Sequence, residues 1–97
     1  MIYDHARECF MCALKSLISE SPEKLYEAYI NIHGLLDKEI PEDILQEYQQ
    51  LISDFGKDNV ESKLWDMDVE HRKTLSSKIW DIFDNLNSLD EDEEINQ

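Results

Sequence analysis

Turn-forming residues are scarce in this chain, with two glycines and two prolines in 97 residues. So little turn chemistry argues against a fold of many short strands and favours helices joined by short connections. Cysteine is equally rare. The two present, Cys9 and Cys12, do not make a disulfide framework, which agrees with a reducing compartment. Long apolar runs are missing as well. The longest, CFMCAL, falls far short of a signal-peptide h-region or a membrane span. Asp4 and Glu8 occupy the N-terminus where a leader would place bases. The chain is therefore read as soluble and cytoplasmic, with no membrane partner. Positive charge is the last shortage: nine Lys and Arg face 23 Asp and Glu, for a formal net charge of −14. That imbalance repels nucleic acid and anionic surfaces, attracts basic ones, and speeds association with them.

The hydrophobic content, 41%, suffices for one core in a chain of this length but not for two. Apolar residues recur at helical spacing in five segments. The first, from about Tyr3 to Ser19, carries Tyr3, Ala6, Phe10, Ala13, Leu14 and Leu17. Ser21-Pro22-Glu23 then opens a second helix, with Ser as N-cap and Pro at the first helical position. Its stripe is Leu25, Ala28, Tyr29, Ile32, Leu35 and Leu36, and Gly34 marks a loosened last turn. Pro41, Glu42 and Asp43 begin a third helix lined by Ile44, Leu45, Tyr48, Leu51, Ile52 and Phe55, with Gly56 at its C-cap. Asp58 and Glu61 have capping-box spacing for a fourth. Asp66 or Asp68 recaps a fifth, which carries Leu75, Ile79, Ile82, Leu86 and Leu89. The expected fold is all-α: a single-domain antiparallel bundle of four to five short helices over residues 1–89. An acidic, frayed or disordered tail is expected over residues 90–97.

Only one stretch comes near site chemistry, HARECFMCAL. At about 100° per residue, His5, Cys9, Cys12 and Ser16 fall in one row of the first helix, roughly 120° from its apolar centre. Three metal-ligand types thus share a face. Structural zinc takes four ligands, however, and paired cysteines that bind it sit in turns. His33 or His71 could complete such a set only through a tertiary contact. A redox pair lacks the βαβ context. The row reads more simply as small residues that let a neighbouring helix approach. No metal site and no cofactor are assigned. No H-E-x-x-H, phosphate-binding glycine loop or G-x-S-x-G elbow is present, so the chain is not read as an enzyme.

The acids are unevenly spread. No base lies between Lys38 and Lys57, where Glu39, Glu42, Asp43, Glu47 and Asp54 fall, and none follows Lys78, after which come Asp81, Asp84 and DEDEE. Asp43, Glu47, Gln50 and Asp54 form one row beside the third apolar stripe. Trp80 lies roughly 140° from the stripe of the fifth helix, beside Asp84. It either completes packing against a second neighbour or stands exposed among acids as an anchor for a basic partner; Trp65 allows the same two readings. A charge run is commonly only a solvated face. The candidate partner-binding residues are Glu39, Asp43, Glu47, Asp54, Trp80, Asp81 and Asp84.

The helical pattern LYEAYINIHGLLDKEIPEDILQEYQQLISDFG, the closing KIWDIFDNL and the acidic surfaces around them give the chain a family likeness. It resembles the small acidic helical immunity proteins that bacteria make against their own colicin-like or contact-dependent toxins. The resemblance covers most of the chain through class features. It implies tight binding to a basic cognate toxin domain, often a nuclease, and occlusion of its active site without turnover. Two alternatives remain open: a phage-type acidic nucleic-acid mimic that inhibits a host defence enzyme, and an acidic secretion chaperone or helical dimerisation module using Trp80 and Tyr26.

Overall fold

The structure, a computed structural model, describes residues 3–17 and 21–95, the stretch 89–95 as backbone. Five α-helices follow one another: α1 Asp4–Ser16, α2 Pro22–Ile32, α3 Glu42–Phe55, α4 Val60–Asp66 and α5 Val69–Ile95, with a 3₁₀ turn at Asp37–Glu39 between α2 and α3. No strand occurs among the described residues, and the all-α bundle expected from the apolar spacing is the fold.

Local chemistry sets most of the boundaries. Ser21 caps α2, its Oγ accepting the Lys24 N–H at 3.3 Å, with Pro22 in the first turn. Gly56 ends α3 at φ 96°, its N–H reaching the carbonyls of Ile52 and Ser53 at 3.1 Å. Glycine is favoured there because the backbone is left-handed; a Cβ would otherwise meet only the movable end of the exposed Lys63 side chain. Asp68 caps α5, accepting the His71 N–H at 2.8 Å. Met67 is extended between the two helices (ψ 148°), so α4 and α5 are separate rods and not one bent one.

Several expectations about boundaries need correction. Helix α2 ends at Ile32, short of Leu35 and Leu36, and Leu36 is exposed instead of completing its apolar stripe. The Asp58–Glu61 capping box does not form; Asn59 is the N-cap of α4, in the left-handed region at φ 54°, without a side-chain cap bond. Asn tolerates that conformation better than most residues, and it places the helix start one residue later than Asp58 requires. The first helix also stops at Ser16, short of the expected Ser19; residues 18–20 lie outside the described part. At the other end, helical backbone runs on to Ile95 through most of the segment expected as a tail, and residues 96–97 lie outside the described part. At about 1.5 Å per residue, the 27 residues of α5 account for most of the molecule's longest dimension, 47 Å.

Every helix contributes its apolar stripe to one core. Phe10, Leu25, Ile32, Leu51, Phe55, Leu64, Leu75, Ile79 and Ile82 are fully buried, each worth about 1.5–3 kcal/mol of transfer free energy. Ala6, Ala13 and Ala28 are also fully buried, and they allow the close packing of α1 on α2. That close approach was expected of the Cys9–Cys12–Ser16 row. The alanines provide it instead, because Cys9 is half-buried at the core edge and Cys12 is exposed.

Tyr48 places a hydroxyl inside this core. Its Oη donates to the Ile32 carbonyl at 2.7 Å and lies 3.4 Å from that of Leu35. Ile32 is the last residue of α2, where carbonyls lack intrahelical partners, so α3 satisfies the end of α2. Among the described residues no buried side-chain nitrogen or oxygen lacks a hydrogen-bond partner.

Candidate functional site: the groove between α3 and α5

Helices α3 and α5 run antiparallel and are tied at two levels. Lys78 Nζ lies 2.6 Å from Asp54 Oδ2, and Asn85 Nδ2 donates to Glu47 Oε2 at 3.4 Å. Rising numbers on one helix thus meet falling numbers on the other. The polar row Asp43–Glu47–Gln50–Asp54 flanks the apolar stripe of α3, and Lys78–Asp81–Asn85–Ser88 does the same on α5. Packing the two stripes together sets these rows opposite one another across a groove.

Two concavities lie in tandem along it. The larger, ≈ 420 Å³, is lined by Gln46, Glu47, Gln50, Lys78, Asp81 and Ile82. The smaller, ≈ 200 Å³, is lined by Asp43, Ile44, Glu47, Asn85 and Ser88. Glu47 belongs to both. Ile44 and Ile82 are core residues whose edges form an apolar floor, while Asp43, Glu47 and Asp81 stand exposed along the rims.

The groove divides the seven sequence candidates. Asp43, Glu47 and Asp81 converge on it from two helices. Asp54 lies at its end but is engaged by its own chain, since it also accepts from Gln50 Nε2 at 3.0 Å. The Lys78 hydrogen bond, with that of Gln50, holds its carboxyl below the ordinary aspartate value against a smaller opposing effect of burial. Glu39 sits elsewhere, in the 3₁₀ turn, with its Oε2 3.0 Å from His5 Nδ1 and 3.4 Å from the Leu36 amide.

Trp80 and Asp84 do not line the groove; on an ideal wheel they project roughly 60–100° away from Asp81. Trp80 is 48% exposed and Trp65 63% exposed, so neither completes the packing against a further helix. Gln46, Lys78, Asn85 and Ser88 are the groove residues that the sequence did not single out. For Lys78, Asn85 and Ser88 the signal is present as a polar row flanking the α5 stripe, but only the pairing of α3 with α5 gives it a meaning.

The opening motif takes a different form in three dimensions. His5 faces Glu39 across the α1–3₁₀ seam. The Cys9 thiol is pushed up by burial first and then by Cys12, Glu39 and Glu8. Among the described residues no three His, Cys, Asp or Glu side chains are grouped as metal ligands. No described helix is long and apolar enough to cross a membrane.

No family model, curated protein or solved structure matches this chain.

Proposed function

We propose that the protein is an immunity-type inhibitor that binds and neutralises a basic toxin domain, a nuclease by preference, with the α3–α5 face as its contact surface. The observation that carries this reading is the convergence of Asp43, Glu47 and Asp81 on one groove of a chain with net charge −14. Acids far apart in sequence are held by a rigid helix pair, beside exposed Trp80 on the outer side of α5. Such a surface presents carboxylates where a nuclease cleft expects phosphates. It favours rapid, salt-sensitive association, with aromatic area available for short-range contact. Inhibition follows from occupying the cleft, so the chain itself needs no catalytic group.

A phage-type nucleic-acid mimic would use the same acids against a different enzyme. The dimerisation alternative is weaker, because Tyr26, one of its two anchors, is half-buried against the core and stacked near Tyr29 at 6.4 Å.

The test is a pull-down from the source cell at low and high salt, followed by activity assays on the captured protein. One basic nuclease, silenced by stoichiometric addition of this chain, is the expected result. Capture of a host defence nuclease in place of a cognate toxin would move the assignment to the mimic, and a stable homodimer burying Trp80 would overturn it.

A further inference from the structure

Resting on the reading above, we infer that the groove seats a basic α-helix of the partner, which inserts cationic side chains from two adjacent turns into the two tandem concavities. Three observations lead there. The concavities are distinct, yet share Glu47 as a common wall. Their linings are offset by about one turn on α3, Asp43–Glu47 against Gln46–Gln50, and by about two turns on α5, Asn85–Ser88 against Lys78–Ile82. That is roughly 5–10 Å, a span that long side chains one turn apart on a helix can bridge by splaying. The floor is apolar and the rims are acidic, a lining that accepts a long aliphatic stem ending in a positive charge. Helix-in-groove docking is the recognition mode that this shape fits.

The chain also demonstrates the chemistry on itself. At the end of the groove, the Lys78 ammonium is held by Asp54 at 2.6 Å, with Gln50 on the same carboxylate. Lys78 thereby neutralises Asp54 ahead of any partner cation, and it sets the end of the docking track; Glu47 accepts only the neutral Asn85 amide, at 3.4 Å. Glu47 and Asp81 on the larger concavity, and Glu47 and Asp43 on the smaller, are left to face the incoming charges. Glu47 is the shared determinant, because its loss weakens both positions together.

The experiment uses the ¹⁵N-labelled full chain and two synthetic helical peptides of identical composition. One carries two arginines on adjacent turns of a single face; the other places them on opposite faces. The single-face peptide is expected to bind about tenfold more tightly and to shift the amides of Glu47, Asp81 and Asn85. Glu47→Gln should abolish that preference, with the melting curve reporting an intact fold. Equal affinity for the two peptides, or shifts centred away from α3 and α5, overturns the docking mode. The two proposals fail separately. A toxin that is inhibited equally well by Glu47→Gln leaves the inhibitor reading standing and removes this one. A single-face peptide that seats in the groove, with a captured toxin that stays active in the complex, does the reverse.

Discussion

Lys78 Nζ stands 2.6 Å from Asp54 Oδ2, joining α5 to α3 across 24 residues of sequence. The pair is partly exposed, with side-chain accessibilities of 43% and 24%, and its mechanical role exceeds its energetic one. It fixes the end of the groove and neutralises a half-buried acid. Exposed pairs of this kind contribute about 1 kcal/mol or less, so Asp54→Asn should lower stability only slightly in denaturant melts.

The pH dependence of this pair has a definite sign. The folded carboxyl titrates below its ordinary value, so its contribution is complete above about pH 4, the unfolded aspartate value. It disappears as the pH falls through the folded value. Melting midpoints of wild type and Asp54→Asn should therefore converge below that range. A gap that persisted unchanged in acid would show that the pair does not titrate as the contact requires.

Tyr48 is the second test of the architecture. Tyr48→Phe removes the 2.7 Å donor to the Ile32 carbonyl and leaves it only the longer Leu35 N–H contact at 3.4 Å, at a cost of about 0.5–1.5 kcal/mol. Burial, the largest effect on the phenol, pushes its titration up to about 12. The unfolded tyrosine ionises earlier, near 10, so stability falls as the pH rises between those values. A tyrosinate absorbance component near 12, lost in Tyr48→Phe, is the expected spectroscopic signature.

The two thiols should separate kinetically. Cys12 is exposed, whereas Cys9 is half-buried with its thiol pushed up by burial, and reactivity follows thiolate fraction and access. Maleimide labelling should modify Cys12 first and Cys9 more slowly, with fragmentation spectra of the tryptic peptide 8–15, which carries both thiols, assigning the sites. Equal rates would contradict the burial assigned to Cys9.

The core was legible because its signal is local. Phe10, Leu25, Ile32, Leu51, Leu75 and Ile79 lie on apolar periods readable in a single segment, and Ser21 and Gly56 announce their roles by residue type. The failures were of two kinds. Asn59 displaced the Asp58 capping box because a left-handed residue depends on how the preceding loop closes, which spacing does not record. The groove was only half visible, since the α3 acid row was evident while its partner row on α5 needed the helix pairing. Glu39 and Asp54 counted as free acids in the sequence, and only tertiary contacts show that His5 and Lys78 engage them. The same lack of tertiary information left Trp80 undecided between packing and exposure.

The central claim is that the groove acids, and not net charge alone, recognise a basic partner. Its most direct measurement is calorimetric titration of the captured toxin domain with two variants of equal net charge. Glu47→Lys/Asp81→Lys reverses groove acids, and Glu8→Lys/Glu70→Lys reverses exposed acids elsewhere. The groove variant should lose about a hundredfold or more in affinity at physiological salt, and the control only a few-fold. Equal losses in the two variants, or none in the groove variant, would contradict the account.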